Sequence, residues 1–296
     1  MEKTVSRSKI MIAIELTVVM ICFAANSVIT RYLVLSNRFS PFALTVIRFV
    51  SGLAVLQVLA SLMPRTFQRD EPRKSYLLGA LFLGIYAFSI SYGYFFITAA
   101  AGVLIFYTFV IATMTLFSIV IDREKLTFPL LFGQLLGIAG VLMISFGGIK
   151  SVTLTGVFLM AVTGISWGLH SVCSRKFKNP FAYTYTSFLI FGVISLLVSL
   201  LSYPWWGRQI WTNISSGNLG WALFMGTIST ALSYALWYRV MKKIKASQGG
   251  VVQLLVPIFT GLMGVFILGE GITLSLVFGG CLVLSGIFLN TLSKTS

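Results

Sequence analysis

Acidic residues are scarce in this chain of 296 residues: Asp and Glu together number 7, against 22 Lys and Arg. Charged residues make up 10% of the sequence and hydrophobic residues 57%, whereas a soluble domain carries about 25% charged residues. So little charge cannot cover a water-soluble globule of this size. The composition therefore excludes a soluble enzyme and indicates an integral membrane protein.

Residues that form disulfides or hold metals are equally few. The three cysteines, Cys22, Cys173 and Cys281, lie far apart inside apolar segments, and His170 is the single histidine. Because there is no Cys-x-x-Cys pair and no Cys/His cluster, the sequence predicts no disulfide, no metal site and no cofactor. The net charge of +15 comes from residues scattered between apolar runs, which argues against nucleic-acid binding.

Long apolar runs are abundant instead. A bilayer core takes roughly 20 apolar residues per helix, and too few residues remain between the runs for a separate soluble domain. We therefore predict an all-α integral membrane protein with a single membrane domain. The ten predicted spans are 10–34, 42–63, 76–98, 101–121, 128–147, 155–174, 181–203, 219–240, 248–268 and 273–292.

The positions of Lys and Arg predict the orientation of these spans. Most of them lie at the two termini and in the even-numbered loops. Because basic loops stay in the cytoplasm, both termini are predicted to be cytoplasmic.

The second half of the sequence repeats the first at an offset of 142 to 146 residues. Five spans in each half is an odd number, so matched helices must cross the membrane in opposite directions. Residues 1–149 and 150–296 are thus predicted to be two inverted five-helix repeats, as in secondary transporters whose substrate site lies near the membrane midplane. The clearest matches pair Glu124 and Thr127 with Glu270 and Thr273, and Gly133 and Gly140 with Gly279 and Gly286.

Four segments resemble the EamA-type members of the drug/metabolite transporter (DMT) superfamily. They are SPFALTVIRFV (40–50), ISWGLHSVCSR (165–175), STALSYALWYRVMKKIKAS (229–247) and VPIFTGLMGVFILGEGIT (256–273). The resemblance implies a metabolite carrier of the bacterial inner membrane, often an exporter of amino acids, with a central cavity reached alternately from each side. One departure is that the proline typical of the fourth and ninth helices is present as Pro257 but replaced by Ile111 in the first half. The sequence leaves open whether the two halves kink alike.

Candidate substrate-binding residues are polar side chains inside the predicted spans. Arg48 lies roughly 10 Å below the outer end of span two and at a different depth from Glu15, so we expect it to meet helix-end carbonyls or a substrate carboxylate. His170 matches Asn26 across the repeat, which makes it a candidate for substrate hydrogen bonding or proton coupling, against a plain packing role. The predicted substrate-binding set is Asn26, Arg48, Tyr86, Tyr107, Trp167, His170, Tyr234 and Gln253.

Aromatic side chains with polar tips inside the spans favour a pocket for an amphipathic solute. Tyr92 and Trp237 join Tyr86, Tyr107, Trp167 and Tyr234 in this group, of which we expect about half to contact substrate. Glu124 and Glu270 lie at helix ends and are interpreted as caps.

The predicted function is a secondary transporter of a small amphipathic metabolite, an amino acid or derivative, with export favoured. An alternative is an uptake or exchange carrier for a nucleotide-like or S-adenosyl metabolite, which would favour several cationic groups, whereas only Arg48 lies deep enough. A membrane enzyme or lipid-handling protein would need a His, Asp or Glu cluster at one membrane surface. The G-x-S-x-G match at 164–168 lies inside a span, where no nucleophile elbow forms. The expected partners are a small-molecule substrate, the lipid bilayer and a candidate coupling proton; two fused repeats predict a working monomer.

Overall fold

The fold is a bundle of apolar helices. A computed structural model describes residues 2–35, 39–97, 99–125, 127–145, 153–211, 215–268 and 274–292. Over these residues the chain is helical apart from the connecting segments. The first seven helices are α1 (Glu2–Leu35), α2 (Pro41–Leu62), α3 (Arg73–Phe96), α4 (Ala99–Val120), α5 (Phe128–Ser145), α6 (Leu154–Cys173) and α7 (Pro180–Ile210).

The last three helices include two that are interrupted. Helix α8 consists of Ser216–Phe224, a π-helical segment Met225–Leu232, and Ser233–Met241. Helix α9 consists of Ala246–Val252 and Leu255–Leu268, and α10 is Leu274–Leu292.

The described residues contain eight helices that are long and apolar enough to cross a membrane, and α5 and α10 contain shorter apolar stretches. At 1.5 Å per residue the 18 residues of α5 reach roughly 27 Å, close to the ~30 Å bilayer core. Large apolar side chains such as Phe128, Leu154 and Leu274 cover the outside, and polar ones such as Asn26 and Gln253 lie buried in the centre. The prediction of an all-α membrane protein with ten helices is confirmed.

The repeated tripeptide Pro-Phe-Ala starts a helix in each half. The Ser40 hydroxyl accepts a hydrogen bond from the Ala43 backbone N–H at 3.1 Å, and proline follows it at the first helical position. In the second half the Asn179 side-chain oxygen accepts from the N–H groups of Phe181 and Ala182. Each half therefore uses a polar cap and a proline to begin its second helix.

Helices α5 and α10 cross through paired glycines. A Cβ atom added to Gly140 would lie 2.6 Å from the Gly279 carbonyl oxygen, and one added to Gly279 would lie 2.7 Å from that of Gly140. Gly286 lies in the same way against Gly133 and Gly137. As the contact moves back along α5 from Gly140 to Gly133, it moves forward along α10 from Gly279 to Gly286, so the two helices are antiparallel. Exchanging the two halves replaces Gly140 by Gly286 and Gly279 by Gly133. It therefore turns the Gly140–Gly279 contact into the Gly133–Gly286 contact, as an inverted repeat requires.

The other helix contacts obey the same exchange. Helix α3 packs on α6 and α7, and its counterpart α8 packs on α1 and α2; α4 packs on α6 as α9 packs on α1. The pairs α2–α7, α4–α9 and α5–α10 map onto themselves. This pattern supports the predicted pair of inverted five-helix repeats. The predicted boundary between residues 149 and 150 lies outside the described residues.

The two halves do not kink alike. Helix α9 is interrupted at Gln253 and Leu254, and Pro257 explains the position, because proline has no N–H to donate to the carbonyl four residues earlier. Helix α4 has Ile111 at the matched position and runs without interruption. The π-helical segment of α8 likewise has no counterpart in α3, which is a regular α-helix.

A central cavity as candidate substrate site

A small cavity lies between the two repeats. Helices α1, α3 and α4 of the first half line it together with their counterparts α6, α8 and α9, so it sits where the repeats meet. The space in which the centre of a water molecule can lie is about 20 Å³. One water molecule needs about 10–15 Å³ of such space. In this conformation the cavity has room for a water or two and not for a metabolite. Its lining residues are Phe23, Asn26, Ser27, Tyr86, Ile90, Phe106, Tyr107, Trp167, Tyr234 and Gln253.

Most of the residues predicted from the sequence meet at this cavity. Arg48 lies directly behind two lining tyrosines, and His170 lies further from the cavity. Of the other aromatic candidates, Tyr92 is 39% exposed and Trp237 is fully buried with its indole N–H donating to Ser171. The predicted residues that line the cavity are Asn26, Tyr86, Tyr107, Trp167, Tyr234 and Gln253.

Arg48 is a buried cation held by hydroxyl groups. Its Nε donates to the Thr230 hydroxyl at 2.9 Å, and its Nη2 donates to the Tyr234 hydroxyl at 2.6 Å and to that of Tyr86 at 3.3 Å. Its guanidinium carbon lies 5.2 Å from the centre of the Phe49 ring. Among the described residues no carboxylate pairs with it. The hydroxyl dipoles and ring faces therefore offset the cost of burying this charge. They stand in place of the helix-end carbonyls, which were one of the two expected partners; the other, a substrate carboxylate, stays a prediction.

Two tyrosine hydroxyls link Arg48 to the cavity. The Tyr234 hydroxyl donates to that of Tyr86 at 3.1 Å, and both tyrosines line the cavity. Because the Tyr86 oxygen already accepts from Arg48 and Tyr234, its own O–H is available as a donor to a molecule in the cavity. A buried cation thus makes the cavity wall attractive to an anionic group without entering it.

Thr230 is a site residue that the sequence analysis missed. Its hydroxyl oxygen accepts from Arg48 and also from the Asn26 amide nitrogen at 3.0 Å, joining α1, α2 and α8. Thr230 lies in the π-helical segment, which brings α8 close to α2 where Gly226 contacts the Arg48 backbone. Gly84 and Gly226 occupy equivalent positions in the two repeats, but no pattern of residues in the sequence predicts the π-helical segment.

Trp167 and Gln253 close the cavity on another side. The indole N–H of Trp167 donates to the Gln253 side-chain oxygen at 2.6 Å, and the Gln253 amide nitrogen donates to the Gly249 carbonyl at 3.1 Å. The Trp167 ring also packs against Phe23 and Tyr234, with ring centres 5.4 and 4.7 Å away. The break in α9 thus places an amide group against an aromatic wall.

His170 is fully buried and lies outside the cavity lining. Its Nδ1 donates to the Gly79 carbonyl at 2.7 Å, and the Tyr183 hydroxyl donates to the His170 carbonyl at 2.9 Å. These bonds join α6 to α3 and α7. A role for His170 in substrate binding or proton coupling stays a prediction.

One end of the bundle carries most of the charged contacts. We call it the basic end and define it by the segments 63–72, 121–125, 174–179 and 242–245. Here Glu124 accepts from Ser118, Ser247 and Lys245 at the start of α9. Burial alone would raise the pKa of Glu124, yet these bonds hold it below its usual range. All three partners are side chains, so the predicted capping role of Glu124 stays a prediction. Its predicted mate Glu270 lies outside the described residues.

Inverted repeats of membrane helices that meet at a polar cavity define the architecture of a transporter. The model of the EamA-like transporter family matches the chain twice, at residues 10–146 and 154–292. The protein belongs to the EamA-like transporter family, as the sequence resemblance predicted, and it is a multi-pass membrane transporter.

Relatives of similar length come from bacteria and archaea. The chain is 32% identical over 270 residues to an uncharacterized protein of Pseudomonas aeruginosa, covering 91% of both chains. It is 28% identical to the uncharacterized transporter YoaV of Bacillus subtilis, covering 82% of this chain and 84% of the relative. A protein known from a crystal structure superposes with a TM-score of 0.74 at 21% identity, covering 93% of this chain and 96% of that one. At that identity the likeness concerns the fold.

Proposed function

We propose that this protein is a secondary transporter that exports a small amphipathic metabolite, an amino acid or a derivative, across the bacterial inner membrane. The central cavity is the substrate site, and alternating access exposes it to one side of the membrane at a time. The basic end faces the cytoplasm, because basic loops are retained there, and both termini lie on that side. The two fused repeats work as a monomer.

The observation that carries this proposal is the arrangement of Arg48 behind Tyr86 and Tyr234. The cavity lining contains no acidic side chain among its described residues, so the site has a positive bias. Such a site attracts a carboxylate and repels lipophilic cations. The aromatic walls pack against an apolar side chain, and the side-chain oxygen of Gln253 is an acceptor for an ammonium group.

A nucleotide-like cargo fits the cavity less well. Its phosphates would need several cationic partners, and the described residues that line the cavity include no Lys or Arg. Arg48 is therefore a single cation, enough for one carboxylate.

Substrate entry requires the cavity to expand. An amino acid is far larger than the present volume, so the Trp167–Gln253 hydrogen bond has to open or the repeats have to separate. The break in α9 at Gln253 makes this helix the element best suited to move. A proton is the candidate coupling ion, and His170 is its candidate carrier.

The proposal is tested by thermal stabilisation of the purified protein, since a ligand that binds the folded state raises its melting temperature. Amino acids should stabilise it, and the matching amino acid amides, which lack the carboxylate, should not. Tyr86→Phe should weaken binding of the stabilising amino acid about tenfold or more, the value of a hydrogen bond to a charged group. Tyr92→Phe on the same helix is the control.

Flux in proteoliposomes should follow the same ranking. Equal stabilisation by acids and amides would contradict the assigned role of Arg48. Stabilisation by nucleotide-like compounds alone would favour the exchange carrier.

A further inference from the structure

Carboxylates of the first half contact the second half at the basic end. The structure describes five acidic side chains, and four of them make such a contact, while Glu71 is exposed. The four contacts are Glu15 with Arg239 and Lys243, Asp70 with the Asn179 backbone N–H, Asp122 with Arg175, and Glu124 with Lys245 and Ser247.

These contacts join helices that surround the cavity. Glu15 links α1 to α8, Asp122 links the segment after α4 to the segment after α6, and Glu124 links the segment after α4 to the start of α9. Asp70 links the segments that precede α3 and α7, and its carboxylate also accepts from Tyr76 at 2.9 Å. Each link therefore crosses from one repeat to the other.

Densely packed side chains separate the cavity from the basic end. Met114, Trp237 and Met241 follow the cavity residues of their helices toward this end, and all three are fully buried. A Cβ atom added to Gly249 would meet the side chains of Met241 and Met114. In this conformation these packed side chains therefore fill the route from the cavity to the basic end along α4, α8 and α9.

We propose that Glu15, Asp70, Asp122 and Glu124 form the cytoplasmic gate of the transporter and hold it closed. The proposal rests on the alternating access of the proposed function, because the cytoplasm-facing state requires the two repeats to part at this end. Parting breaks all four contacts. Glu124 is the strongest of them, because its side chain is 5% exposed and has three partners that hydrogen bond to it.

The gate is one-sided. At the repeat offsets that hold for these segments, Asp122 corresponds to Leu268 and Glu15 corresponds to Leu159. The opposite end therefore lacks two of the four carboxylates. Asp122 and Glu15 stabilise the state closed to the cytoplasm and have no acidic counterpart for the other state, so the two access states differ in free energy.

A native cysteine reports on the gate. Cys173 is 8% exposed at the end of α6, two residues from Arg175. In a Cys22→Ala, Cys281→Ala background, a charged maleimide reaches Cys173 only when the basic end opens. We expect Glu124→Gln to raise the labelling rate about tenfold, or about 1.4 kcal/mol of gate free energy, and Glu15→Gln to raise it about threefold.

Glu71→Gln is the matched control, a carboxylate at the same end without a contact to the second half. Equal labelling of Glu71→Gln, Glu15→Gln and Glu124→Gln would overturn the proposal. If Glu124→Gln melts early, Lys245→Gln removes the same ion pair from its exposed side. Raising NaCl from ~0.1 to ~1 M shortens the screening length from ~10 to ~3 Å. In the Cys22→Ala, Cys281→Ala protein with all four gate carboxylates intact, this should speed the labelling of Cys173.

The labelling assay needs neither cargo nor flux, so it separates two failures. If the gate variants are labelled faster but the protein moves no amino acid, the gate proposal is supported and the proposed cargo is wrong. If labelling of the gate variants is unchanged but the protein exports amino acids, the gate proposal is wrong and the proposed function is supported.

Discussion

Removing the Tyr234 hydroxyl is expected to destabilise the protein measurably. This oxygen accepts the shortest hydrogen bond of Arg48, at 2.6 Å, and donates to Tyr86. Arg48 is 2% exposed, so water cannot readily replace the lost acceptor. In Tyr234→Phe the ring remains, and with it the contact of 6.0 Å between the guanidinium carbon and the ring centre. The substitution therefore isolates the hydrogen bonds.

A hydrogen bond to a charged group contributes about 1.5–3 kcal/mol. Because Arg48 keeps Thr230 and Tyr86 as acceptors, the cost of Tyr234→Phe should lie in the lower half of that range. Tyr86→Phe removes a longer bond, of 3.3 Å, and should cost less. The double variant should be non-additive, because both hydroxyls belong to one network.

Thermal unfolding in detergent measures the effect. For chains of about 150–250 residues 1 kcal/mol shifts the melting temperature by about 2–4 °C, so Tyr234→Phe should melt roughly 3–9 °C early. Tyr92→Phe, at an exposed position of α3, should change stability by less than about 0.5 kcal/mol. If the two variants melt at the same temperature, the network around Arg48 does not stabilise the bundle and the reasoning fails.

Other regions give further predictions. Gly140→Val pushes a side chain into the α10 backbone and should cost about 1–3 kcal/mol, whereas Ala139→Val at the exposed neighbouring position should not; equal melting would contradict the close crossing. The lowered pKa of Glu124 means that its stabilisation is present above about pH 4.3 and lost as pH falls through the lower folded value. The melting temperature should therefore drop more steeply below about pH 4 than it does in Glu124→Gln, and parallel curves would refute this. Pro257→Ala restores a donor to the Gln253 carbonyl and should slow hydrogen exchange across that turn; unchanged exchange would assign the break to packing.

Much of the fold follows from the sequence because the bilayer imposes strong rules. Apolar length predicted the helices, and the paired glycines of α5 and α10 predicted a repeat whose members now cross each other. Pro257 and its counterpart Ile111 marked the position at which α9 is interrupted and α4 is not. These features depend on local residue types, which a single sequence displays.

The site was predictable only in part. Polar residues within spans are costly and tend to face the centre, which is why Tyr86, Trp167 and Gln253 meet at the cavity. The partners of Arg48 were not predictable, because Thr230 reaches it through a π-helical segment that has no signature in the residue pattern. The position of His170 against Gly79 depends on how α3 and α6 rotate, which composition does not determine.

The glycine crossing of α5 and α10 has a mechanical consequence. In alternating access between inverted repeats, each half takes up the conformation that the other half had before. A set of residue contacts that maps onto itself under this exchange can be the same before and after the transition. The crossing at Gly140 and Gly279, with its mate at Gly133 and Gly286, can therefore stay intact as a pivot while the helices around the cavity move.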